Sequence, residues 1–141
     1  MHTPESPRIV LDTNLWVSYF LGKHVRERLD RILYDEKFSI LMSDALFEEV
    51  VGVLNRPKFS RFFSLDDVRA LLDALSLRSE LVEVNTNIAL SRDPKDDFLL
   101  SLCSDGGADF LLTGDDDLLV LHPFGHTQIV KLAEFSVLYG L

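Results

Sequence analysis

The chain is poor in the residues that mark several classes of protein. Cysteine occurs once, as Cys103, so no internal disulfide can form. Its place inside the apolar stretch that begins at Phe98 reads as a core thiol rather than a nucleophile. No apolar run is long enough to cross a bilayer, and no charged, apolar and small-residue succession opens the chain as a secretory leader would. The expectation is a cytoplasmic protein with no membrane partner. The four histidines, His2, His24, His122 and His126, form no tight zinc-ligand pattern. Basic residues number 14 against 23 acidic ones, a net charge of −9, which argues against general electrostatic binding of nucleic acid. The cations are unevenly spread, however. Lys23, Arg26, Arg28 and Arg31 lie together, as do Arg56, Lys58, Arg61 and Arg69; either group could line a phosphate strip or simply solvate a helix face.

What is present is the composition of a globular protein, 47% hydrophobic and 26% charged. At 141 residues one substantial core is expected. No repeat, linker or low-complexity stretch divides the chain, so residues 1–141 read as a single domain with 1–7 as a loose lead-in. Strands are expected at 8–11, 38–42, 81–84 (at an edge), 110–112 and 128–130. Helices are expected at 14–21, 24–35, from the cap Ser43 to about 55 before Pro57, from the cap Ser64 to about 77, at 95–104 before Gly106-Gly107, and at 132–138. A strip of Leu71, Leu72 and Leu75 reads as core before it reads as a dimer face. Strands alternating with helices imply crossover connections and a mainly parallel sheet covered on both faces, a three-layer α/β/α sandwich.

The chemistry is carried by acids. Arg8-Ile9-Val10-Leu11 stops abruptly at Asp12, which puts a carboxylate at the carboxyl edge of a buried strand, where open α/β sheets hold ligands. Asp115 follows the apolar run ending at Leu112 in the same way. Asp96 stands at a helix start after the Asp93-Pro94 turn, where the helix dipole favours an anion, and Glu49 lies beside the apolar stripe of its helix. Carboxylates gathered at one edge repel each other unless a cation joins them. Four from separate segments can hold one or two Mg²⁺ or Mn²⁺ ions, with waters completing an octahedral shell. Plainer readings stand beside this one: Asp12, Asp93, Asp96 or Asp97 as caps, residues 115–117 as a solvated acidic turn, and Asn14 and Thr113 satisfying local backbone. A phospho-acceptor receiver domain would need paired acids after its first strand. A haloacid dehalogenase-type phosphatase would need a second Asp where Asn14 stands, and an amide cannot act as a general acid.

Four blocks in order, Ile9-Val10-Leu11-Asp12-Thr13-Asn14, Ser43 with Glu49 to Pro57, Asp93-Pro94-Lys95-Asp96-Asp97, and Leu112-Thr113-Gly114-Asp115-Asp116-Asp117, resemble the PIN domain nucleases. More narrowly they are similar to toxin components of toxin–antitoxin systems related to the VapC toxins. The resemblance runs from residue 8 to 138. It implies a parallel sheet flanked by helices, Mg²⁺ or Mn²⁺ dependence and cleavage of single-stranded RNA. It also implies a homodimer and an antitoxin that blocks the site. By motif, the implied catalytic and metal-binding acids are Asp12, Glu49, Asp96 and Asp115, with Asp117 as a further ligand and Asn14 and Thr113 in support. Asp96 is preferred over Asp97 because the position seven residues on, where the family has a small residue, is then Cys103. The main alternative is a catalytically silent PIN fold that binds RNA or serves as a scaffold.

Overall fold

Short apolar runs ending in polar turns make five strands in the computed structural model, which describes residues 3–141; Met1 and His2, the first residues of the expected lead-in, lie outside the described residues. The strands are β1 (Arg8–Leu11), β2 (Ser39–Met42), β3 (Ser79–Leu81), β4 (Phe110–Leu112) and β5 (Gln128–Val130). They form one sheet in the order β3-β2-β1-β4-β5, every neighbouring pair parallel. Between and after them run α1 (Thr13–Leu21), α2 (Lys23–Tyr34), α3 (Asp44–Leu54), α4 (Leu65–Arg78), α5 (Asp97–Gly106), α6 (Asp116–Leu119) and α7 (Leu132–Tyr139). The central strands are buried almost throughout, as strands covered on both faces must be. The architecture is the expected α/β/α sandwich. Strands β2 and β3 add on one side of β1, β4 and β5 on the other. The border of β1 with β4 is therefore the topological switch point, where parallel sheets open a crevice beyond their carboxyl ends.

Local chemistry accounts for most element boundaries. The Ser43 hydroxyl accepts from the Leu46 N–H and the Ser64 hydroxyl from the Asp67 N–H, both at 3.1 Å, so both expected caps form. Gly107, at φ +61°, ends α5 in the left-handed conformation that favours glycine. Leu71 and Leu75 are buried and Leu72 is half-buried against them, so that strip is core. Cys103 is fully buried, and burial pushes its thiol up to about 12, which fits a core thiol. Among the described residues no helix is long and apolar enough to cross a membrane.

Three elements differ from the sequence expectation. The edge strand lies at Ser79–Leu81 rather than 81–84, because Ser79, Glu80 and Leu81 are the residues in register with β2. Beyond the Val82 N–H bond to the Met42 carbonyl (2.7 Å) the chain leaves the sheet. The helix expected at 95–104 begins later, after a 3₁₀ turn at Pro94–Asp96; proline suits a first turn because no partner is needed for its missing N–H. The acidic stretch 115–117 is the start of the short α6 rather than an open turn.

One end of the core is aromatic. Phe135 is fully buried, with its ring centroid 5.1 Å from Phe110, 5.7 Å from Phe38 and 4.7 Å from Tyr139. Phe135→Ala is therefore expected to lower unfolding stability by about 3–5 kcal/mol. Val137→Ala, on the exposed side of the same helix, should stay within about 0.5 kcal/mol. Denaturant midpoints of the two variants check this.

Candidate active site

The register of the two central strands builds the site. Leu11 pairs with Leu112, and the next N–H of β1, that of Asp12, donates to the Leu112 carbonyl at 2.9 Å. Asp12 and Thr113 thus leave the sheet side by side. The Thr113 hydroxyl donates to Asp12 Oδ2 at 2.7 Å and accepts from the Asp115 N–H at 3.0 Å. One buried hydroxyl therefore orients a carboxylate from β1 and the turn that carries a carboxylate after β4. Asp12 occupies the cap position of α1; its side chain makes no full capping hydrogen bond, although the Thr13 and Asn14 N–H groups act on it to lower its pKa. It is only 8% exposed. Burial raises its pKa above the ordinary carboxylate value; the Thr113 hydrogen bond opposes the shift and the charge of Asp115 adds to it.

Asp96 joins from the third segment. It too caps a helix by position without a capping bond, and its Oδ2 is buried with no hydrogen-bond partner. Its pKa is raised to about 7, first by burial, then by the hydrogen bond it donates to Asp115 when protonated, and then by the charges of Asp115, Asp12 and Asp93. The neighbouring acids have other tasks. Asp93 Oδ1 accepts from the Lys95 N–H at 3.1 Å. Asp97 Oδ1 accepts from the Leu90 and Ser91 N–H groups at 3.1 and 2.7 Å. Asp96 therefore faces the acid cluster while Asp97 holds a loop.

The remaining candidates stand around this group. Glu49 is exposed rather than set into the apolar face of α3, because its neighbour Val50 takes the buried position. Its Oε2 accepts from the Thr13 hydroxyl at 3.0 Å. The Asp117 N–H donates to Asp115 Oδ1 at 2.9 Å, and the Asp117 carboxylate pairs with Arg92 at 2.8 Å. Asn14 is exposed on the first turn of α1.

The carboxylates meet electrostatically without closing on a point. Among the described residues, no group of three His, Cys, Asp or Glu side chains stands ready to hold a metal ion. Like charges repel, and several of the oxygens are engaged by Thr113, Thr13, Arg92 and the backbone of α6. Their chemistry nonetheless fits a hard divalent cation. The donors are carboxylate oxygens, one of them buried without a partner, and a cation would relieve the repulsion that raises Asp96.

Two side chains at the site were not singled out from the sequence. Thr13 adjoins the prominent Asp12 but is 36 positions from Glu49. Arg92 precedes the Asp93-Pro94 turn, and nothing in its local pattern points to Asp117.

The site is thus a parallel sheet with three mutually repelling carboxylates at its switch point. The model of the PIN domain family matches residues 8–117, and the chain belongs to that family, whose fold is of nuclease type. Among solved structures, the crystal structure of PAE2754 from Pyrobaculum aerophilum is similar with a TM-score of 0.59 at 17% sequence identity. The match covers 97% of this chain and 92% of that one; at this identity the likeness is one of fold. No curated protein matches the chain at a significant level.

Two outcomes follow from the geometry. The folded chain keeps the Asp96 proton up to about pH 7, whereas an unfolded aspartate releases it near pH ~4. The folded state binds more protons between these values, so metal-free stability falls as pH rises through that window. In EDTA, Asp96→Asn should melt roughly 2–4 °C above wild type at pH 8 and should lose that advantage at pH 4; parallel melting curves at every pH would contradict the placement of Asp96. Thr113→Val removes the donor to Asp12 and the acceptor for the Asp115 N–H, and should cost about 1–3 kcal/mol by urea unfolding, with Thr113→Ser recovering most of it.

Proposed function

We propose that the chain is a metal-dependent endoribonuclease that hydrolyses phosphodiesters of single-stranded RNA and is the toxin of a VapC-related toxin–antitoxin pair. The single observation that carries the nuclease reading is the meeting of Asp12, Asp96 and Asp115 at the switch point of a PIN domain, with Asp96 raised to about 7 by the other two and by burial. Nucleases of this family typically use divalent metals. Asp12, Asp96 and Asp115 would hold one or two Mg²⁺ or Mn²⁺ ions, with Glu49 and Asp117 completing the acidic rim. When bound, such an ion activates water and offsets charge on the phosphate.

The chain's own groups supply the rest. Thr113 fixes the rotation of Asp12 and positions the Asp115 turn. Glu49, held by Thr13 and open to solvent, would orient the attacking water and take its proton. The excess of acid over base suits a basic antitoxin segment that covers the acidic edge, with the protein acting in the cytoplasm as a homodimer. The rival reading, a PIN fold that binds RNA without cutting it, draws on the open spacing of the carboxylates.

Cleavage of a fluorescent single-stranded RNA separates the two. The purified protein should cut in Mn²⁺ and not in EDTA. Asp12→Asn should reduce the rate by more than the ~100-fold that outer ligand partners are worth in metal sites, while keeping its cooperative unfolding. Undiminished cutting by Asp12→Asn would mean that the site is elsewhere or that the activity belongs to a contaminant. Failure of the folded protein to cut any of a broad set of RNAs in Mn²⁺ would favour the binding reading.

A further inference from the structure

The turn at residues 56–63 concentrates what the rest of this acidic surface lacks. From Asn55 to Leu65 the chain carries no carboxylate, yet it holds Arg56, Lys58 and Arg61, all exposed. Among the described residues the ion pairs are Arg8–Glu80 and Arg92–Asp117, so these three cations have no acidic partner. The backbone that presents them is tightly tied. Phe59 N–H bonds the Arg56 carbonyl at 3.0 Å, Ser60 N–H the Pro57 carbonyl at 3.1 Å, and both Phe62 and Phe63 N–H groups the Phe59 carbonyl, at 2.9 and 3.0 Å. Phe63 is buried, stacked on Phe59 at 5.0 Å and set against Phe20 at 4.7 Å. Lys58 Nζ lies over the Phe59 ring at 5.1 Å. Phe62, by contrast, is 60% exposed. Phe62 thus keeps most of its surface in water, within six residues of three cations in sequence, at a cost in apolar exposure, and the local backbone bonds fix the turn that carries it.

The turn is also tied to the acid cluster through one helix, α1. Helices α1 and α3 meet at one end through Thr13 and Glu49. The far end of α1 meets the turn through Phe20 and Phe63. The seven residues from Thr13 to Phe20 amount to about 10 Å of helix.

We propose that residues 56–63 form a binding platform for single-stranded RNA, with Arg56, Lys58 and Arg61 taking backbone phosphates and Phe62 stacking under a base, a few nucleotides from the bond cut at the acid cluster. Aromatic stacking beside unpaired cations is how single strands are held without regard to sequence, and RNA bases splayed from a strand stack on both phenyl rings and guanidinium planes. A second copy is a poorer occupant, since a two-fold contact here would set the same cations against themselves. The inference rests on the ribonuclease reading for its choice of ligand, but its test does not depend on cleavage.

The test is fluorescence anisotropy of a short labelled single-stranded RNA in EDTA, where no cutting occurs, across a salt series. It compares the full chain, Phe62→Ala, and the double variant Arg56→Glu with Arg61→Glu, each first checked for unchanged melting temperature and sedimentation. The platform predicts that Phe62→Ala weakens binding about fivefold or more. It predicts that the double variant weakens binding at least tenfold and flattens the slope of log affinity against log salt by ~1.4, the share of two phosphate contacts. A duplex RNA of equal length should be insensitive to Phe62→Ala. Unchanged binding in both variants, or no binding by the full chain, overturns the platform. So does a change of oligomeric state in either variant, which would make the turn a protein interface. Binding that depends on the turn, in a protein that never cuts in Mn²⁺, would uphold the platform and remove the nuclease reading. Cutting in Mn²⁺ with binding indifferent to the turn would do the reverse.

Discussion

The parallel pairing of β1 with β4 is the constraint on which everything at the acidic edge depends. Leu11 opposite Leu112 is a packing requirement, since both side chains are buried in the core. Once that register is set, the residue after each strand is placed as well: Asp12 beside Thr113, with Asp115 two positions on. A slip by one residue would turn every side chain of β1 to the other face and bury Asp12 without its hydroxyl partner. The hydrophobic core therefore does the aiming, and the 2.7 Å bond from Thr113 to Asp12 locks what the core has aimed. Asp96 then depends on α5, which packs against β1 and β2, and Glu49 on α3, which packs against α1 and α5.

The site is also where the fold is least at ease with itself. Burial and mutual charge push Asp12 and Asp96 in the same direction, towards holding protons. An orphaned carboxylate oxygen in a well-packed α/β protein is a local conflict that packing alone would remove. The surrounding bonds do not remove it; they tie the other acids to separate partners. Thr113 holds Asp12, Thr13 holds Glu49, Arg92 holds Asp117, and Asp115 spends one oxygen on the start of α6. Each acid is restrained by a group short enough, or exposed enough, to exchange that partner for another.

How far this was legible in the sequence follows from which forces are local. The buried strands and Asp12 were readable because an apolar run that ends in a carboxylate is a short-range pattern, and so were the caps at Ser43 and Ser64 and the stop at Gly107. The choice between Asp96 and Asp97 was open from the residues alone, since both sit at a helix start. What separates them is the segment from Val82 to Asp93, which has no regular structure and is hung along one face of α5: Asp97 takes the Leu90 and Ser91 N–H groups, Ser101 the Ile88 N–H, and Asp105 the Asn85 and Thr86 N–H groups. Spacing of four along a helix is visible in hindsight, but side chains that bond a passing loop leave no periodic mark on the loop itself. Arg92, delivered by that segment to Asp117, was invisible for the same reason. The edge strand slipped because β3 is mostly exposed, so its hydrophobic pattern specifies register weakly.

Net charge is the observation that most resists an RNA-directed reading, and its force depends on distance. A charge of −9 opposes a polyanion only so far as its field reaches, and at physiological ionic strength that is about 8 Å. Exposed acids on the far side of the sheet are screened from a strand lying along α1 and α3. What such a strand would meet is local: an acidic edge whose charge a divalent cation would offset, and a turn free of carboxylates whose three cations make no ion pair among the described residues. An acidic remainder then works in favour of discrimination. It repels nucleic acid wherever the crevice and the turn are not both engaged, so the two features must be reached by one flexible strand together. A rigid duplex has less freedom to follow a path from the turn at Phe62 to Asp12, a carboxylate only 8% exposed. On the proposed reading, the overall charge and the local basic turn are two parts of one selection, for a strand thin enough to be threaded.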